Sequence, residues 1–131
     1  MTHGRIASSF ALAVLLATLS GCANTTIKGR VIPGEIGRVL IVPISDERME
    51  EPGVADAEVT IRQGGVLAKG KTTGDGGFSF SVRDDTMRSG PIQVLVEGDS
   101  IFRVQNQVQI PSDGQAILVN AVRRTPSENE P

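Results

Sequence analysis

The chain of 131 residues holds one cysteine, Cys22, and one histidine, His3. A thiol can act as a nucleophile, bind a metal or carry a covalent group, and its surroundings decide which. Cys22 closes the stretch LLATLSGC, an apolar run that ends in small residues. Upstream, Arg5 and the amino terminus supply positive charge, and residues 6–19 are apolar apart from Ser8, Ser9 and Thr18. Positive charge, a short apolar core and small residues, in that order, predict a secretory signal peptide over residues 1–21. The run from 6 to 19 falls short of the roughly 20 residues that a spanning helix takes. A free thiol left just after such a cut, in an oxidising compartment, would be a poor arrangement.

The other concentration of reactive side chains is acidic. Asp46, Glu47, Glu50 and Glu51 crowd together in SDERMEEPG, with Arg48 among them. Carboxylate oxygens can hold a divalent cation, but the alternating ligand-and-glycine pattern of a calcium loop is missing here. The segment reads first as a solvated loop kept soluble by charge. Its functional reading is a protruding loop that contacts a partner or a cation. Asp75, Asp84 and Asp85 are turn carboxylates first and metal ligands second, so no metal site and no cofactor is assigned.

Removal of residues 1–21 would take Arg5 and His3 away. What remains has 12 basic and 15 acidic side chains, a net charge of −3, and no His, Trp or Tyr. Ser-His-Asp and Cys-His catalysis then lack their base, and zinc sites built on His or Cys lack their ligands. Lys28, Lys69 and Lys71 sit in no serine–lysine motif. The charge gives no footprint for nucleic acid. Glycan binding leans on aromatic platforms, and only Phe78, Phe80 and Phe102 are on offer.

Leu19-Ser20-Gly21-Cys22 resembles the bacterial lipobox. The resemblance implies a cut before Cys22, a diacylglyceryl thioether on its sulfur and a membrane anchor through that lipid. Two or more acyl chains give stable anchoring where one gives only marginal binding. Ala23 stands where an aspartate would imply retention at the inner membrane, so the resemblance implies the outer membrane, periplasmic face. Residues 22–25 are then a lipidated terminus and short tether.

The elements that follow alternate with period two, and no stretch has the pattern of a long amphipathic helix. Strands are expected at 25–31, 38–44, 57–63, 66–72, 77–82, 92–98, 101–110 and 115–122. Ile27, Gly29 and Val31 share one face, as do Ala57, Val59 and Ile61, with Glu58, Thr60 and Arg62 opposite. RVLIVPI (38–44) is continuously apolar, as for a strand covered on both sides, and Pro43 marks an edge or an end. Asp75-Gly76-Gly77 before Phe78 predicts a tight hairpin, with Phe78, Phe80 and Val82 inward. Phe102, Val104, Val108 and Ile110 are expected inward, with Asn106 oddly in register with them. Short strands between Gly- and Asp-rich turns predict an all-β protein, a seven- to eight-stranded antiparallel β-sandwich over residues 26–122. RRTPSENEP (123–131) reads as a disordered polar tail.

GVADAEVTIRQGGVLAKGKTTGDGGFSFSV (53–82) resembles the carboxypeptidase regulatory-like, or transthyretin-like, β-sandwich family. Gly29-Arg30-Val31 matches its first strand, Ala57-Glu58-Val59 its small-residue strand entry, and Thr73 to Phe80 its hairpin motif. The family's usual tyrosine near the start of the 92–98 strand is missing. The link between Val31 and Val54 is longer than the family's. The family implies a sandwich with no catalytic residues of its own. The expected function is therefore a non-catalytic, lipid-anchored envelope protein whose sandwich docks an envelope protein or the cell wall. A glycan or small-ligand module, and an accessory lipoprotein of a secretion system, stand as alternatives.

Overall fold

The computed structural model describes residues 23–124. Leu19, Ser20, Gly21 and Cys22, and the tail from 125, lie outside the described residues. Eight strands follow in order: β1 (Asn24–Pro33), β2 (Arg38–Pro43), β3 (Glu58–Gln63), β4 (Gly65–Lys71), β5 (Gly77–Arg83), β6 (Ile92–Gly98), β7 (Ile101–Val108) and β8 (Gln115–Ala121). Two short 3-10 turns, Glu47–Glu50 and Asp84–Thr86, are the only helical elements among the described residues.

The strands form two four-stranded sheets, ordered β2-β8-β1-β5 and β4-β3-β6-β7. Face to face, they enclose Ile27, Val31, Val59, Ile61, Ile92, Val94, Val96, Ile117 and Val119, all fully buried. The protein is thus an eight-stranded β-sandwich. One pairing departs from the antiparallel expectation: β1 and β8 run parallel, with Val31 opposite Val119. Residues Ala116–Ala121 of β8 are buried throughout. The reason is position, since β8 is an inner strand of its sheet and both of its faces are covered.

The apolar segment 38–44 behaves as its composition predicts. β2 is an edge strand, with Pro43 at its end. Val39 faces the main core, while Val42 joins Ile32 and Leu118 in a second cluster on the outer face of the sheet. Leu40 and Met49 pack against that second cluster. Met49 belongs to the acidic segment, so SDERMEEPG is not a protruding loop. It is a strap laid over the outside of the β2-β8-β1-β5 sheet and held there by a buried-facing methionine.

Three further expectations are corrected. The turn at Asp75-Gly76-Gly77 does not make a hairpin within one sheet. β4 and β5 lie in different sheets, and the turn carries the chain between them. Phe102 points out to solvent. The pairs Val96↔Val104 and Gly98↔Ile101 set three residues of β7 against two of β6, and that extra residue reverses the phase of the strand. Ile101 is buried in its place, and Val104, beyond the extra residue, is buried as expected. Thr60 lies on the outer face as expected, though it is buried there between its cross-strand partners Lys69 and Leu95. Asn106, in register with the inward residues by sequence, is exposed on β7, a strand at the edge of its sheet.

Candidate functional site

Strand direction gives the sandwich two poles. β1 leaves one pole at Asn24 and reaches the other at Pro33, and its ten residues at about 3.3 Å each span roughly 30 Å. The chain is fixed to the body from its first described residue. Ala23 O accepts from the Asp84 amide at 3.3 Å, and Thr25 Oγ1 donates to Asp84 Oδ1 at 2.5 Å. β1 then begins at Asn24, which pairs with Arg83 of β5. The expected tether over 22–25 is therefore already strand from Asn24.

The β3–β4 turn lies at the same pole. Gln63 Nε2 donates to Arg88 O, and the Arg88 amide donates back to Gln63 Oε1, both at 2.7 Å. Ile44, just past β2, is held there too, its amide donating to Gly114 O at 2.9 Å. Two aliphatic side chains stand out from this pole: Ile44, 47% exposed, and Val66, 56% exposed.

The opposite pole carries different chemistry. An open cleft of about 440 Å³ lies among Asp56, Glu58, Lys71, Glu97, Phe102 and Arg124. Phe102 is 56% exposed. The Arg124 guanidinium sits over its ring, 5.7 Å from the centroid, a cation–π contact worth about 0.5–1 kcal/mol at an exposed site. Arg124 is fixed by its amide, which donates to Ser100 O at 2.8 Å, and Arg123 bridges Ile101. Ordered pairing thus runs into residues expected to be tail. The turn between β1 and β2 lies at this pole as well and exposes Ile36.

The cleft's wall is stiffened from below. Asp56 adopts φ 59°, a left-handed conformation that Asp tolerates better than most residues. Beneath it, Thr72 is buried. Its Oγ1 accepts from the Ala57 amide at 3.0 Å and donates to Val54 O at 2.6 Å.

The aspartates singled out in the sequence have structural partners. Asp46 caps the Glu47–Glu50 turn and accepts from Arg48 three times: from its amide at 2.9 Å, Nε at 3.0 Å and Nη2 at 2.9 Å. The guanidinium bonds, then the amide, hold the Asp46 carboxyl at about 2, below its ordinary 3.8. Asp75 accepts from Thr73 Oγ1 at 2.5 Å and from the Gly77 amide at 3.0 Å. Those two bonds, the hydroxyl first, lower its pKa, and Arg30 adds to the effect. Glu47, Glu50 and Glu51 are exposed on the strap. No group of three or more acidic, His or Cys side chains converges as a metal site among the described residues.

Gly76 and Gly77 sit where the strap, β1 and the sheet-crossing turn meet. Val31 donates its amide to Gly76 O at 2.9 Å and accepts from the Val54 amide at 2.8 Å. Gly76 has φ +88°, and a Cβ there would stand 2.5 Å from Gly53 Cα, so glycine is required on both counts. Phe78 lies in the core over Gly29. The Phe102–Arg124 pair escaped the sequence reading. Its one trace there is an aromatic just past the Asp99-Ser100 turn at the head of a strand, and periodicity alone places that aromatic inside.

The fold and its surface define a small β-sandwich with an aliphatic pole where the chain enters and a charged, aromatic pole opposite. No family model, no curated protein and no solved structure matches the chain.

Proposed function

We propose that this protein is a non-catalytic lipoprotein of the bacterial cell envelope, anchored through lipid on Cys22, whose sandwich docks a protein partner. The sandwich is read as one of the carboxypeptidase regulatory-like, or transthyretin-like, kind. The observation that carries the docking role is the Phe102–Arg124 pair at the pole remote from the chain entry. An aromatic ring and a guanidinium, stacked and half in solvent, are residue types enriched at protein interfaces. Support for the anchor comes from Leu19-Ser20-Gly21-Cys22. No helix of the described residues is long and apolar enough to cross a membrane. A mixed lining of carboxylates and cations around the cleft suits polar contacts at the rim of such an interface.

The test is site-specific photo-crosslinking in intact envelopes. A photoreactive residue at position 102 is expected to capture a discrete envelope protein, and one at Lys69, on the side of the sandwich, is not. Equal, diffuse adducts from both positions would overturn the docking role.

A further inference from the structure

Resting on the lipoprotein reading above, we propose that the pole bearing Ile44 and Val66 is a membrane-seating surface, held flat on a phospholipid bilayer by an anchor with no free tether.

The argument is one of chain length. Ala23 is already hydrogen-bonded to the body through its carbonyl, and Asn24 is already in β1. Cys22 is the next residue in the sequence, joined to Ala23 by a single peptide bond. A lipid on that sulfur leaves the sandwich no linker on which to lift off. Whatever the described pole exposes must meet the headgroup layer.

That pole exposes two aliphatic side chains among charged residues such as Arg83, Asp84 and Asp85. Of the four large apolar side chains exposed on the described residues, Ile44 and Val66 lie here, and the other two, Ile36 and Phe102, lie at the opposite pole. Ile44 and Val66 also stand at different sides of the entry strand. Ile44 follows β2 at one edge of its sheet, and Val66 lies on β4 at an edge of the other sheet. The two sheets stack with β2 against β7 and β4 against β5, which sets these edges on opposite sides of the sandwich. With an anchor just before Ala23, they make three points of support rather than one. Both are rigidly presented, Ile44 by the bond from its amide to Gly114 O and Val66 by its place beside the Gly64 turn. The acyl chains supply the affinity, and the two aliphatics fix the tilt. The consequence is that β1 stands up from the bilayer and lifts Phe102 and Arg124 to roughly 30 Å above it, at about 3.3 Å per strand residue.

The experiment uses the full-length lipidated protein with single substitutions Ile44→Cys, Val66→Cys and Ile36→Cys, each labelled with an environment-sensitive fluorophore. The proteins are reconstituted into vesicles of phosphatidylethanolamine and phosphatidylglycerol. Labels at 44 and 66 are expected to shift to the blue and to be quenched by brominated phospholipid, while the label at 36 behaves as in water. If either label at 44 or 66 is as wet as the one at 36, the seating is wrong. The mass of the Cys22 peptide, taken on the same preparation, separates the two readings. An acylated peptide with wet labels overturns the seating alone, and an unacylated one overturns the anchor and the seating together.

Discussion

Phe78 and Gly29 are cross-strand partners in β5 and β1, and the phenyl ring occupies the space that a side chain at position 29 would need. The glycine is bare so that the ring can lie flat across the strand, and the ring covers backbone that would otherwise face a void. A Cβ on residue 29 would also stand 2.6 Å from Ile117 O of the parallel neighbour. One glycine thus serves both the aromatic plug and the close approach of β8.

Replacing either residue should be costly. Phe78→Ala removes a buried aromatic and is expected to destabilise by about 3–5 kcal/mol. Gly29→Ala overpacks the same spot, at about 3 kcal/mol. The double variant should be less damaged than the sum, by about 1 kcal/mol, because the ring clash disappears while the clash with Ile117 remains. Urea denaturation of the four proteins measures this. Strict additivity would show that the two sites do not share space.

Thr72 ties the end of β4 to the segment that enters β3, with both functions of its hydroxyl used. Thr72→Val keeps the shape and strands a buried amide and a buried carbonyl, at a cost of about 1–3 kcal/mol. Thr72→Ser should retain most of the stability. A valine variant that melts like the parent would mean that water replaces the hydroxyl.

Met49 is the one apolar residue by which the acidic strap grips the sheet. It is half-buried against the cluster that includes Ile32, Val42 and Leu118. Met49→Ala is expected to cost about 1–2 kcal/mol, less than a fully buried methionine. Met49→Asp should free the strap, and limited proteolysis should then cut within 44–53 before the body unfolds. Resistance equal to the parent would show that the strap is held without the methionine, by contacts such as the 2.9 Å bond from Arg30 Nε to Glu51 O.

Asp46 predicts a pH dependence with a definite sign. Its carboxyl titrates at about 2 in the folded protein, against an ordinary 3.8. A depressed carboxylate favours the folded state fully above about 3.8, and that contribution is lost as pH falls toward 2. Carboxyl carbon shifts followed by NMR should place the Asp46 midpoint near 2, and Asp46→Asn should remove that part of the acid response. A midpoint at the ordinary value would show that the Arg48 bonds do not persist in solution.

Local pattern made much of this fold legible, and long-range pairing hid the rest. The alternation of Ile27-Gly29-Val31, of Val59 and Ile61, and of Ile92-Val94-Val96 is local, and each set lies buried in the core. The parallel partnership of β1 and β8 joins the two ends of the domain, and nothing within either segment announces it. Phe102 faces out because the extra residue between Ile101 and Val104 breaks the alternation at the head of β7, while Val104 and Val108 beyond it face inward as expected, and a bulge leaves no fixed mark on composition. The acidic loop drew attention to its charges, although the residue that positions it is Met49, an apolar side chain among four carboxylates. Asp75-Gly76-Gly77 was legible as a turn, but whether a turn stays in one sheet or crosses to another is decided by what β4 and β5 find to pair with.

The account turns on Cys22, and mass spectrometry of the amino-terminal peptide from membranes tests it most directly. The expected result is a polypeptide that begins at Cys22 and carries a diacylglyceryl group on sulfur, with Cys22→Ala losing the lipid and leaving the membrane fraction. A mature chain that begins elsewhere, or begins at Cys22 with a free thiol, would contradict it.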